Sequence, residues 1–219
     1  MQTFAQSLIF YAFLSMLLPL TAALVRHRVL VKGMRSVIWF CALTFALECL
    51  GTILWLTKTS NLWIGHVHSL MEFLLLANMY RVLLKDFLRP WLIPVLMILF
   101  TSFSLINSFF LQDLKAFNSY VKISEAILLM SLALIFFYRL LKELRVTRLE
   151  HYPFFWINSG LLLYFASSLF VFLYSNYTLL YSVKTGIFIW FIHALFYMLF
   201  NLFIAIGIWV APLNRNLPG

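Results

Sequence analysis

The feature that most constrains this chain is a series of apolar stretches, each about 20 residues long, that recurs almost from one end to the other. They cover residues 4–25, 36–57, 62–84, 90–111, 118–140, 153–175 and 186–210. About 20 apolar residues in a helix cross the hydrocarbon core of a bilayer, and a spanning segment must satisfy its own backbone polar groups. The sequence therefore predicts an all-α, polytopic membrane protein, a seven-transmembrane-helix bundle that forms a single domain over residues 1–219.

The composition agrees with this interpretation and argues against a soluble fold. Hydrophobic residues make up 64% of the chain and charged residues 11%, whereas soluble domains carry about 25% charged residues. The first residues lack the basic segment of a signal peptide, so we expect none. Although the formal net charge is +9, the basic residues occur in short segments between apolar stretches. This pattern favours the lipid bilayer as a partner and gives no reason to expect nucleic acid.

The distribution of lysine and arginine predicts the orientation of the bundle. Alternate connections carry most of the positive charge, and positively charged loops stay in the cytoplasm. We therefore expect the N-terminus outside and the C-terminus in the cytoplasm. Twelve basic residues fall on the cytoplasmic side of this topology, and four, Lys58, Lys115, Lys122 and Lys184, fall on the other. The twelve are Arg26, Arg28, Lys32, Arg35, Arg81, Lys85, Arg89, Arg139, Lys142, Arg145, Arg148 and Arg215.

Three of the seven acidic residues, Glu48, Glu72 and Glu125, lie inside predicted spans. A charged side chain near the middle of a transmembrane helix costs about 2.5–3.5 kcal/mol on insertion scales. Such residues usually face the interior of the bundle and mark a binding site or a relay. From the direction of each helix, these three residues and His193 all belong to the outer half of the membrane. The sequence thus predicts one polar chamber that opens to the outside.

Helical spacing adds further members to this chamber. His66 and His68 enter near the outer end of the third span, and His68 lies one helical turn before Glu72 on the same face. Lys122 lies one turn before Glu125, so we expect an ion pair between them. In the last span, Asn201 lies on the same face as His193. Each of these groups could instead have a purely structural role, as a buried histidine with its hydrogen bonds formed, an interfacial ion pair or an interhelical hydrogen bond.

A metal site is one alternative for this chamber. The side chains of Glu48, His68, Glu72 and His193 could bind a Zn or Fe ion and activate water for hydrolysis of a lipid. Intramembrane hydrolases of the seven-helix ceramidase and adiponectin-receptor type would, however, be expected to carry two histidines on the last helix, and this chain has one. Retinal is not expected either, because the last span has no central lysine for a Schiff base of the microbial rhodopsin kind.

Four segments carry a resemblance to a known family. They are NLWIGHVHSLMEF (61–73), SEAILL around Glu125, FWINSGLLLYFASSLFVF and IHALFYMLFNLFIAIGIW (192–209). They resemble small seven-span integral membrane proteins of Bacteroidota, a family without an assigned activity. The resemblance implies site residues at Glu48, His66, Glu72, Glu125, His193 and Asn201. The resemblance implies that His66 is the site histidine of the third span, whereas helical spacing favours His68.

These observations lead to one hypothesis and one alternative. The hypothesis is a sensory or receptor-like protein of the bacterial inner (cytoplasmic) membrane, with an outward-facing Glu/His pocket for a cation, a proton or a small polar ligand. Its basic loops would then face a signalling partner in the membrane or cytoplasm. The alternative is the metal-dependent hydrolase. Paired acids and histidines would also suit a transporter coupled to protons or cations, and the sequence does not decide between an enzyme, a receptor and a transporter.

Overall fold

The structure, a computed structural model, describes residues 11–26, 32–143, 148–181 and 183–212. Within these ranges the chain is helical and contains no strand, which confirms the all-α prediction. Two short turns of other helical types also occur, a π turn at Asn107–Leu111 and a 3₁₀ turn at Leu149–His151. The helices are α1 (Tyr11–Val25), α2 (Met34–Leu56), α3 (Leu62–Leu83), α4 (Leu92–Ile106), α5 (Ser119–Glu143), α6 (Pro153–Tyr181) and α7 (Val183–Val210).

Five segments in the described ranges are long and apolar enough to cross a membrane, judged by length and composition. They are Met34–Leu56, Leu92–Leu111, Ser119–Glu143, Pro153–Val171 and Phe188–Val210. Helix α3 is long enough, with 22 residues, but His66, His68 and Glu72 make it less apolar. Helix α1 is shorter, and residues 4–10 of its predicted span lie outside the described residues.

The predicted span limits agree with the helix ends to within a few residues, with one clear exception. The predicted spans leave residues 176–185 as a connection, inferred from Lys184 and Gly186, but α6 continues to Tyr181 and α7 begins at Val183. The prediction was wrong because it relied on one glycine and one lysine. A single glycine in a helix costs only about 1 kcal/mol relative to alanine, and this segment has no proline to end the helix.

Six of the helices form a closed ring, in which α1 packs on α2, α2 on α3, α3 on α5, α5 on α6, α6 on α7 and α7 on α1. Helix α4 lies outside this ring and packs on α3. Helices α3 and α5 run in the same direction. Ser69 and Asn118 are hydrogen-bonded near their N-terminal ends, and the Arg139 guanidinium donates to the Leu83 carbonyl near their C-terminal ends. The ring therefore has two distinct ends. Loops 57–61 and 112–118 lie at one end, which we call the cavity end because a cavity described below opens there. Lys85, Arg89 and Arg148 lie at the other, which we call the basic end.

A tight turn joins α2 to α3 at the cavity end. Lys58 adopts a left-handed conformation, with φ of 56°, and its N–H donates to the carbonyl of Trp55 while Thr59 N–H donates to Leu54. These two bonds form a Schellman motif, which satisfies the last carbonyls of a helix. The turn brings Asn61 back against α2, where its amide donates to the Gly51 carbonyl at 3.2 Å.

Large side chains fill the ring between the cavity end and the basic end, and we call this layer the floor. Phe200 of α7 stacks on Tyr164 of α6 with ring centroids 4.9 Å apart and approaches Phe40 of α2 at 6.0 Å. Below them the Tyr80 hydroxyl donates to Asn158 Oδ1 at 2.6 Å, which ties α3 to α6. Each of these side chains is buried, so the floor closes the inner end of any space above it.

Candidate functional site

A cavity of about 370 Å³ opens at the cavity end of the ring. This volume lies within the range typical of small-molecule sites, about 300–1,000 Å³. Five helices contribute to its wall, and its polar lining comes from residues far apart in the sequence. The polar and aromatic lining residues are Glu48, Asn61, His68, Phe117, Asn118, Lys122, Tyr164, Trp190 and His193. Glu48, His68 and His193 were all predicted from sequence as members of one chamber.

Lys122 lies at the centre of a charged cluster in the wall of this cavity. Its Nζ is 2.6 Å from Glu72 Oε2 and 3.0 Å from Glu125 Oε2. The same Nζ is 3.4 Å from His68 Nδ1, and that nitrogen is 3.3 Å from Glu72 Oε2. The cluster confirms the predicted pairing of Lys122 with Glu125 and shows in addition that Lys122 joins α5 to α3.

Helix geometry explains why these four groups meet. His68 and Glu72 are one turn apart on α3, Lys122 and Glu125 are one turn apart on α5, and the two helices run in parallel. An ammonium has three protons to donate and no lone pair, so it suits a position between acceptors from both helices. The side chains of Glu72 and Glu125 are 2% and 0% exposed. They therefore lie behind the cavity surface, with Lys122 between them.

Glu48 differs from the other two carboxylates because it is exposed. Its side chain lines the cavity from α2, and no partner for its carboxylate occurs in the part of the chain that the structure describes. With three carboxylates and one ammonium, the site carries an excess of negative charge if all four groups are ionised. Glu48 is the acidic group that a molecule entering the cavity would meet first.

His193 lines the cavity from α7, among aromatic rings. Its Nδ1 is 3.0 Å from the hydroxyl oxygen of Ser168 on α6. The Trp190 ring meets it edge-on at 5.4 Å between centroids, and the Tyr164 ring lies 5.5 Å away. Phe117 extends this aromatic wall, with its centroid 5.4 Å from that of Trp190.

Two predicted site residues lie outside the cavity. His66 points towards α4, where its Nδ1 is 2.9 Å from Ser108 Oγ. Asn201 lies deeper and donates from Nδ2 to the Ser15 hydroxyl at 2.9 Å, which joins α7 to α1. Both therefore make interhelical hydrogen bonds, as polar side chains commonly do in helical membrane proteins. The resemblance selected His66, whereas the structure places His68 in the cavity wall.

A polar network beside the cavity was not predicted. The π turn of α4 buries Asn107, whose amide donates to Asn118 Oδ1 at 3.0 Å and to Gln112 Oε1 at 3.2 Å. Asn118 in turn donates to Ser69 Oγ at 3.2 Å and lines the cavity. Only Gln112, in the polar segment between the fourth and fifth predicted spans, gave a hint of it. π turns often occur at functional sites.

By loop charge, Lys122 was counted as a loop residue on the outer side. The structure places it in the first turns of α5 with its side chain 12% exposed. The available signal was its spacing from Glu125. Its ammonium also lies between the groups that would bind a metal, and no group of three or more His, Cys, Asp or Glu residues in the described ranges is arranged to hold one.

The relation of the chain to known proteins gives no further guide to its ligand. Comparisons with protein-family models, curated proteins and solved structures find no match. The class of ligand must therefore be inferred from the geometry and charge of the cavity.

Proposed function

We propose that the chain crosses the membrane seven times, with its cavity end outside and its basic end in the cytoplasm. The distribution of basic residues and the order of the helices support this topology. The lateral surface supports it too, since large apolar side chains such as Ile98, Leu141 and Phe170 are exposed while Glu125 and Asn158 are buried. The resemblance to seven-span proteins of Bacteroidota favours a bacterial inner membrane.

Within this topology, we propose that the protein is a sensory or receptor-like module that binds a small polar ligand or cation from the outside. The observation that carries the proposal is the convergence of Glu48, His68, Lys122 and His193, from four different helices, on one cavity. Buried ionisable groups are costly in a membrane and are typically functional. The floor separates this cavity from the basic end, so a bound ligand would act on the cytoplasmic loops through helix packing.

A cavity-filling variant tests this proposal. Gly65 of α3 lines the cavity, and a Cβ placed on it meets no atom within 4 Å. Purified protein would be heated with choline, propionate, glycine, propanol or Zn²⁺, and its Tm measured. We expect at least one of these classes to raise the Tm of the wild type and of Gly65→Ala, but not of Gly65→Leu. If no class raises it, or if Gly65→Leu responds like the wild type, the cavity is not a binding site.

A separate measurement, the metal content of the protein, tests the alternative of a metal-dependent hydrolase. Metal content would be determined after purification without chelators, in the wild type and in Glu72→Ala and His193→Ala. Because the Lys122 ammonium lies between Glu72, Glu125 and His68, we expect no stoichiometric Zn or Fe. Stoichiometric metal that both variants lose would favour the hydrolase and contradict the non-enzymatic proposal.

A further inference from the structure

The cavity combines an exposed carboxylate with a wall of aromatic rings on the other side of the helix ring. Glu48 projects from α2, and Tyr164 lies on α6, opposite α2 in the ring, while Trp190 lines the same cavity from α7. A carboxylate attracts a positive charge, and the faces of aromatic rings attract cations such as alkylammonium groups. Aromatic cages for quaternary ammonium ligands use this second interaction.

The charges in the wall favour a cation over an anion. Lys122 is the only basic side chain other than histidine among the described lining residues, and it is already paired with Glu72 and Glu125. It therefore offers little to an incoming anion, whereas the carboxylate of Glu48 is exposed. A ligand with one positive charge would therefore be attracted to the Glu48 carboxylate.

The size and lining favour an organic cation over a metal ion. A volume of about 370 Å³ far exceeds a single ion, and much of the surface comes from Leu47, Ile64 and the aromatic wall, which have no ligands for a metal. Hydrocarbon groups of an ammonium ligand would pack on these side chains, because burial of apolar surface is favourable.

We propose that the ligand is a small organic ammonium compound, held between the Glu48 carboxylate and the Phe117–Trp190–Tyr164 wall. This inference rests on the proposed function of the cavity as a binding site and adds the chemical class of the ligand. His68 and His193 lie at the edges of the same space, and Asn61 and Asn118 provide amide groups for hydrogen bonds to a polar substituent.

The test compares charged and uncharged molecules of the same shape. Choline and 3,3-dimethylbutan-1-ol differ in a nitrogen that carries the charge, and tetramethylammonium and phenylethylammonium extend the set of cations. Binding would be measured by calorimetry on the full-length protein in detergent. We expect at least one ammonium compound to bind, and its uncharged analogue to bind at least tenfold more weakly.

Two substitutions with the same change of charge provide the control. Glu48→Gln should weaken ammonium binding about tenfold or more, while Glu150→Gln, at an exposed position near the basic end, should leave it unchanged. Trp190→Leu should weaken binding of the cation more than binding of the uncharged analogue. Retained thermal stability in Glu48→Gln would show that lost binding is not lost folding.

Several results would overturn the proposal. Equal binding of charged and uncharged analogues, equal binding by Glu48→Gln and the wild type, or failure of all three ammonium compounds to bind would each do so. Binding of propionate or of a metal ion alone, abolished by Gly65→Leu, would refute the ammonium ligand but retain the cavity as a binding site. Failure of every class would refute both.

Discussion

The ammonium of Lys122 lies among two buried carboxylates and an imidazole, so its removal leaves unpaired charge inside the bundle. Breaking a buried ion pair by removing one partner typically costs about 3–5 kcal/mol. We therefore expect Lys122→Met to lower the Tm strongly. Lys115→Met makes the same change at an exposed position and should have little effect. Thermal unfolding in detergent measures both.

Removal of the carboxylates provides the second half of this test. The loss of stability in Lys122→Met is expected to come from uncompensated charge. In that case, addition of Glu72→Gln and Glu125→Gln to Lys122→Met should restore part of the lost stability. If Lys122→Met and Lys115→Met unfold at the same temperature, the cluster does not stabilise the fold.

The hydrogen bond between Tyr80 and Asn158 is a second residue-scale feature. Tyr80→Phe removes the donor of the 2.6 Å bond and keeps the ring in the floor. Interhelical hydrogen bonds in membrane proteins contribute about 0.6 kcal/mol on average and up to about 1.7. We expect a loss of about 1 kcal/mol in the free energy of unfolding. Tyr120→Phe, at an exposed position, should lose much less; an equal loss would contradict the assignment.

At this scale the sequence predicted pairs within a helix but not pairs between helices. The spacing of His68 from Glu72 and of Lys122 from Glu125 follows from 3.6 residues per turn. The contact between Lys122 and Glu72 depends on the rotation of α3 against α5, which the packing of many buried side chains decides collectively. For the same reason, spacing alone could not reveal that Asn201 contacts Ser15.

At the scale of elements, the most extensive contact is between α6 and α7, where glycines allow the helices to approach. A Cβ on Gly160 would lie 2.6 Å from Phe203 Cβ, and one on Gly207 would lie 2.8 Å from the Pro153 carbonyl oxygen. Small residues allow this kind of contact between transmembrane helices.

Glycine-to-alanine substitutions should therefore have opposite effects in two helices. Gly160→Ala forces side chains of α7 to move, and overpacking of this kind costs about 1–3 kcal/mol. Gly65→Ala meets open space and should gain up to about 1 kcal/mol from helix propensity. Differential scanning calorimetry of the two variants measures the sign of each change in stability. Destabilisation of equal size in both would contradict the packing described for α3.

The helices themselves were largely predictable from hydropathy, because each must be long and apolar. The junction of α6 and α7 was not, since a short polar segment such as residues 184–186 is compatible with either a loop or a helix. The π turn of α4 could not be predicted from the sequence either, because it depends on the hydrogen bonds of Asn107 with groups outside its helix.

On the scale of the whole molecule, the proposed orientation can be tested with introduced thiols. Cys41→Ala and Cys49→Ala would first remove the native cysteines. Lys115→Cys at the cavity end and Lys85→Cys at the basic end, both at exposed positions, would then be treated with a membrane-impermeant maleimide. In intact spheroplasts we expect Lys115→Cys to react and Lys85→Cys to react only after lysis. The reverse pattern would show that the cavity faces the cytoplasm.

The ring arrangement was only partly predictable from the sequence. Short connections predicted that sequential helices pack together, and most of them do. The contact between α1 and α7, and the position of α4 outside the ring, depend on packing between elements distant in sequence. The cavity itself results from that closure, since α2, α5 and α7 face one another only in the assembled ring.

The floor also has an electrical consequence for a protein with this topology. Moving one elementary charge through a full membrane voltage of 100 mV corresponds to about 2.3 kcal/mol. Water in the cavity would keep its walls close to the external potential, so most of the voltage would fall across the packed layer of Phe40, Tyr80 and Phe200. A cation bound near Glu48 would then be held with almost the same affinity in an energised cell as in a depolarised one.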